Sequence, residues 1–409
     1  MAEQVSIEFS LIGEPTTSLL RLLKNFEAQH KVQVRLKLME WEKAWPELLT
    51  FALYGHGPDI SHIGSTWAGS LIAMNSLRPF APREIAALGG AEAFLPQTWQ
   101  SGVLQGQPEV WSLPWTSFTF LLCYRRDILQ KAGIDEITAF ATAEALDKTL
   151  AQLQAAGVEQ DFLSCIPWVV PVDPAFVDIL HHQASWVWGA GGDYISADGR
   201  QVMLCQPNTW RGLCSYLSLL RFMRPSFSHL DEAAALQLFA RGRAAVTILG
   251  SGAVYEFVES RSAVPEVLDN LGVMPVPGVP WIGGDNLVIW KHTQGYPERE
   301  RAAVALASFL ASQASQREYA QDGVVMLPTR PDSFSALPFW ESSLTQAVIR
   351  SLQTGRAYRA VAIWGRLESQ LSSTLGQISE AILAGAETDA ALQQYLEPLA
   401  RRLEITLNS

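Results

Sequence analysis

Apolar and polar residues alternate at Val5, Ile7 and Phe9, and after Gly13-Glu14-Pro15 the apolar set Leu19, Leu22, Leu23 and Phe26 recurs at helical spacing. Alternation lines one face of a strand, whereas a repeat of three and four draws a stripe along a helix, so the segment predicts strand, loop, helix. Thr16 or Thr17 can offer a hydroxyl to the open amides at the helix start. Val32, Val34, Leu36 and Leu38 alternate as a second strand, and Pro46 suits the first turn of a helix that runs to Tyr54 and stops at Gly55 and Gly57. Asp59 to Gly64 reads as a third strand, with Thr66 and Trp67 beyond its carboxyl end. Asp59, in its Gly-Pro-Asp context, reads as a cap on the chain entering that strand.

Repeated strand and helix predict an α/β protein with an open, mostly parallel sheet flanked by helices. Such sheets bind ligands outside the carboxyl ends of their strands, where Glu14, Trp41, Thr66 and Trp67 fall. Phe118 to Tyr124, after Leu113-Pro114-Trp115, reads as a buried strand. Ala245 to Leu249 reads as another, and the amides of Gly250-Ser251-Gly252 after it can hold a hydroxyl or an anion. Trp186-Val187-Trp188-Gly189-Ala190-Gly191-Gly192 closes a helix, and Trp281-Ile282-Gly283-Gly284-Asp285-Asn286 is a loop before the strand Leu287 to Trp290. Leu367, Leu371, Leu375, Ile378 and Ile382 mark a helix whose first turn carries Trp364 and Arg366.

A chain of 409 residues exceeds the roughly 250 to 300 at which one core divides, so two domains are expected. The net charge of -11, with no Lys/Arg cluster, argues against a nucleic-acid partner. No apolar run approaches the roughly 18 residues of a membrane span. The start Met1-Ala2-Glu3-Gln4 is unlike a secretory signal, which leaves a cytoplasmic protein or an exported one whose signal has been removed. Cys123, Cys165, Cys205 and Cys214 form no CxxC pair; Cys205 and Cys214 are close enough for a disulfide, while Cys214 also fits the apolar face of a helix. His181-His182 lacks a third ligand at metal spacing and reads as helix surface, so neither metal nor cofactor is expected. Arg125-Arg126-Asp127 reads as local ion pairing.

The 14 Trp residues then change the picture, because Trp67, Trp115, Trp186, Trp188, Trp281 and Trp364 stand beside Gly or Pro or in predicted loops. A sugar offers an apolar C–H face that an indole can cover and a rim of hydroxyls that Asp, Glu, Asn or Arg can bind. The alternative for each Trp is ordinary burial. Trp45 reads as core, whereas Trp41, at a strand end, can reach a ligand.

Five segments, Gly57-Pro58-Asp59-Ile60, Leu121-Leu122-Cys123-Tyr124, Gly189-Ala190-Gly191-Gly192, Phe239 to Val246 and Val325 to Arg330, resemble in order and spacing the extracellular solute-binding proteins of ABC importers. The similarity is to the sugar-binding branch that includes maltose-binding protein. It implies a two-lobed periplasmic-binding-protein fold (type II), each lobe an open mixed sheet flanked by helices, with a cleft between them. The implied lobes are 1–114 with 276–329 and 115–275 with 330–409, crossing at Phe118 to Tyr124, Gly272-Val273-Met274-Pro275 and Met326-Leu327-Pro328-Thr329.

The same resemblance implies that Trp364 stacks on sugar and that Arg366 faces the cleft, the alternative for Arg366 being an ion pair with Glu368. It offers Glu14 for hydroxyls and Gly284 and Asp285 as a turn beside the ligand, against a helix cap and an ordinary polar turn. Thr66 and Trp67 replace a charged pair of maltose-binding protein, and Gly252 stands where the branch often has a stacking Trp. With Trp41, Trp115, Trp186, Trp188 and Trp281 these complete the expected ligand set. The implied protein is a monomer and not an enzyme, periplasmic or extracellular with a lipid anchor left open, whose partners are a sugar and a membrane permease. The rival readings are a saccharide-acting enzyme, which needs two carboxyls about 5 to 10 Å apart but for which the chain shows no G-x-S-x-G nucleophile motif, and a sugar sensor that has lost transport.

Overall fold

The computed structural model describes residues 4–104, 107–157, 165–173, 177–321 and 327–408. Met1 to Glu3 of the acidic start, Val325 of the segment Val325 to Arg330 and Met326 of the third expected crossing lie outside the described residues.

The alternation at the amino end becomes β1 (Ser6–Ile12), which runs parallel to β2 (Gln33–Met39) and to β3 (Ile60–Gly64). β9 (Ile282–Trp290) returns antiparallel to β3 and also pairs with the short β4 (Leu77–Arg78). The first half of β5 (Ser112–Arg125) takes β10 (Leu327–Pro328) antiparallel. Period two sorts the core: Leu287 and Ile289 of β9 pack with Ile7, Phe9 and Leu19, while Val288 and Trp290 pack with Leu48, Phe51 and Leu71. The sheet of this first unit therefore has an apolar layer on each face.

α1 (Thr17–His30) begins where Thr16 Oγ1 accepts from the Leu19 N–H at 3.2 Å, and it buries Leu19, Leu22, Leu23 and Phe26. α2 (Trp41–Tyr54) starts five residues before Pro46, so the proline lies inside the helix and not at its first turn. The helix stops at Gly55, in the left-handed conformation, whose N–H returns to the Phe51 carbonyl. Asp59 does not cap its own strand. It is buried, accepts from the Glu8 N–H of β1 at 2.9 Å and pairs with Arg299 at 2.9 Å.

The first unit comprises Met1–Phe118, Ile282–Thr345 and Ala357–Gly365; the second comprises Thr119–Trp281, Gln346–Arg356 and Arg366–Ser409. The expected division gave all of 330–409 to the second lobe, but two pieces are held in the first unit by local contacts. Gln316 Oε1 accepts from the Thr329 and Arg330 N–H groups at 2.9 and 3.1 Å. Ser70 Oγ donates to the Ala362 carbonyl at 2.9 Å, and Gly69 lies so close to Val361 that a Cβ would come within 2.6 Å of its carbonyl oxygen.

In the second unit the second half of β5 pairs antiparallel with β7 (Ala244–Gly250) and with β8 (Leu271–Pro275), and β6 (Ile166–Val169) runs parallel to β7. Arg125 pairs with Asp127 at 2.7 Å and Arg126 with Glu136 at 2.9 Å, the local ion pairing read from the sequence. His181 and His182, read as helix surface, are both buried in the helix Asp178–Gly189. Burial pushes both imidazole pKa values down to about 3, because a desolvated charged ring is disfavoured. All four cysteines are free, and the Cys214 thiol donates to Asp389 at 3.2 Å. No helix among the described residues is long and apolar enough to cross a membrane.

Candidate ligand-binding site

The first unit gathers several predicted residues at the carboxyl ends of β1 and β3. Glu14 follows β1 in an exposed loop, beside Gly13, where an added Cβ would meet the Trp41 indole nitrogen at 3.9 Å. Trp41 opens α2 and is 44% exposed. Its ring meets that of Trp67 at 5.8 Å between centroids, edge to face, and Trp67 in turn meets Trp45 at 5.5 Å. Trp45, Thr66 and Trp67 are half-buried. Gly365, next to Trp364, lies against Trp45 and Ser70. The result is a partly open wall of three indoles with a carboxylate beside it. Such a wall suits a molecule with an apolar face and a hydroxylated rim.

Beneath the wall lies a polar bracket. His62 of β3 accepts the Ile12 N–H at Nδ1, at 3.2 Å, and its Nε2 lies 3.1 Å from Asp285 Oδ2. The same carboxylate oxygen accepts from the Thr116 hydroxyl at 2.9 Å. Asp285 is thus buried and turned inward, where the sequence suggested a ligand contact. Gly283, Gly284 and Asp285 lie within β9, not in a turn before it. Gly284 has φ +128° and a Cβ there would stand 2.2 Å from the Thr116 carbonyl oxygen, so close strand packing requires glycine. Trp115 is a core residue, edge-on to Phe9 and to His62 and tilted against Tyr319. Trp364 is 1% exposed and stacks on Tyr358 at 4.2 Å.

In the second unit the expected tryptophans are already engaged. Trp281 stacks with His181 at 4.0 Å and with Phe120 at 5.5 Å, leaving it 6% exposed. Trp188 donates to Asp193 at 3.4 Å, and the Arg356 guanidinium sits over its ring at 4.8 Å. Trp186 is buried edge-on to Tyr216. Gly252 is buried in the first turn of the helix Ser251–Ser260. These residues support the unit's interior, and none offers an open aromatic face. Arg366 is exposed and pairs with no carboxylate among the described residues, Glu368 included.

His62, Thr116, Trp45 and Arg356 were missed as parts of these clusters. His62 had a signal: a polar residue at an inward strand position needs partners, and Ile60, His62 and Gly64 share a face by period two. Arg356 had none, because its partners Asp193 and Trp188 are far away in sequence.

The family model of the bacterial extracellular solute-binding proteins matches residues 21–345. No curated protein matches the sequence. The sugar-binding protein MalE of Xanthomonas citri is similar in fold, with a TM-score of 0.79 at 20% identity over 99% of this chain and 98% of that one. Maltose-bound MalE3 of T. maritima gives 0.76 at 21% identity over 98% and 100%. A solute-binding protein of Agrobacterium radiobacter K84 in complex with ribitol gives 0.72 at 21% identity, with 98% of each chain covered.

Proposed function

The chain belongs to the bacterial extracellular solute-binding proteins, and from that premise we propose that it is the substrate-binding component of an ABC importer for a sugar or polyol. The observation that carries the ligand class is the open wall of Trp41, Trp45 and Trp67 beside Glu14 and Thr66. Indole faces take the C–H face of the solute, and Glu14 and Thr66 take hydroxyls. The maltose and ribitol bound to similar proteins support this class.

Binding, in this reading, is not followed by chemistry. Capture shifts the protein toward whichever form binds the ligand more tightly, and only as far as that difference in affinity allows. A membrane permease then receives the solute. The protein acts outside the cytoplasm as a monomer, tethered by lipid or free, with no nucleic-acid partner.

The test is intrinsic fluorescence and melting temperature with maltose, tagatose, ribitol and D-mannitol, together with chromatography of each mixture. A binding solute at a hundredfold excess over its Kd adds about 2.7 kcal/mol to stability. The proposal expects at least one solute to raise the melting temperature and be recovered unchanged. No response to any of them would count against the ligand class, and consumed solute would count for an enzyme.

A further inference from the structure

We propose that His62 is a positioning residue for the ligand-facing indole of Trp41, held by the Ile12 backbone N–H with Asp285 against its other nitrogen. This inference rests on the sugar-binding reading of the same wall.

His62 sits between the sheet and the wall. Its ring stands at 89° to Trp41, 5.9 Å away, and at 83° to the buried Trp115, 5.3 Å away. An imidazole nitrogen that accepts a backbone N–H carries no proton, so the Ile12 contact leaves the ring proton on Nε2, the nitrogen that faces Asp285. Asp285 is fixed in turn by the Thr116 hydroxyl and by its place in β9 opposite Gly64. The Ile12 N–H sets the Nδ1 end of the imidazole, and Asp285 stands 3.1 Å from the other nitrogen without the alignment of a hydrogen bond.

The surroundings leave little other support for Trp41. Gly13 and Gly64 carry no side chain, and a Cβ on Gly64 would touch the Trp67 ring at 3.4 Å. Trp67 thus lies against the Gly64 backbone, and Trp41 meets both His62 and Trp67 edge to face. Edge-to-face pairs depend on angle, so a ring free to turn at position 62 would let the exposed indole turn with it. A phenylalanine, as bulky but unable to bond to Ile12 or Asp285, would fill the space without fixing the angle.

The decisive experiment is indole NMR on isotope-labelled full-length protein without ligand, with the Trp41 signal identified by its absence in Trp41→Phe. In His62→Phe and in Asp285→Asn the Trp41 signal is expected to move or split, while those of Trp188 and Trp281 stay. A Trp41 signal unchanged in folded His62→Phe overturns the proposal. Should that variant not fold, an unchanged signal in Asp285→Asn does the same. A role in stability alone would lower the melting temperature of either variant and leave the Trp41 signal in place.

Calorimetric titration with maltose gives the functional arm. His62→Phe is expected to weaken binding at least about fivefold, whereas equal affinity in His62→Phe and wild type, when Trp41→Ala does weaken binding, overturns the positioning role. If Trp41→Ala binds maltose as wild type does while His62→Phe still moves the Trp41 signal, the binding reading of the wall has failed and not the bracket. If maltose does not bind, the indole signals decide alone.

Discussion

Trp41 in the first unit and Trp281 in the second are the same residue type beside glycine-containing segments, yet they are placed in opposite ways. Trp41 is 44% exposed and meets His62 and Trp67 in edge-to-face pairs, whereas Trp281 is stacked with His181 and Phe120 and 6% exposed. An indole can meet a solute only with a face that the protein has not already used. Aromatic count does not say which rings a solute can reach; the partners of each ring do.

The largest expected effect comes from emptying the covered site. Trp281→Ala should cost about 3 to 5 kcal/mol of stability, as deletion of a buried aromatic ring does, measured by denaturant unfolding of the second unit's signal. A loss under about 1 kcal/mol would mean that the ring is not part of the interior.

Next is pH, which separates the units because the buried pair His181 and His182 belongs to the second. Both rings are held neutral in the fold, with pKa values lowered from 6.5 to about 3. The unfolded chain takes up protons below about pH 6.5 and the folded one does not, so this stability is complete above that pH and is lost as pH falls toward 3. The slope is up to about 1.4 kcal/mol per pH unit for each histidine. Melting curves between pH 7 and 5 should flatten in His181→Phe, and an unchanged slope would show that this ring does not contribute.

Trp41→Ala inverts the pattern of Trp281→Ala. Its stability should fall by less than about 1 kcal/mol, while affinity for a bound saccharide drops about tenfold, or 1.4 kcal/mol. Equal affinity would break the comparison. The smallest effect is expected from Glu14→Gln, which keeps hydrogen bonding but removes charge: affinity down about two- to threefold and stability within about 0.5 kcal/mol, by calorimetry and melting.

The first unit's strands were legible because β1 and β2 keep a simple alternation, α1 opens at a Thr16 cap and α2 closes at Gly55. β9 was cut short, because Gly283-Gly284-Asp285 has the composition of a turn and only the approach of Thr116 explains a glycine inside a strand. His181 and His182 were misplaced because a polar residue on a helix reads as exposed unless its neighbours are known, and here these are Trp281 and Phe120. The grouping of Glu14, Trp41, Thr66 and Trp67 at strand ends was legible from the sequence, while their binding of a ligand is what is proposed. Which tryptophans were already covered was not legible, since Arg356 over Trp188 and Phe120 against Trp281 come from distant parts of the chain.

The most direct measurement is a crystal structure of the protein with whichever saccharide or polyol raises its melting temperature most. The solute is expected to rest its C–H face on Trp41 or Trp67, with Glu14 within hydrogen-bond distance of a hydroxyl. A solute seated elsewhere, with both indoles free of it, would contradict the assignment of the open wall as the binding surface.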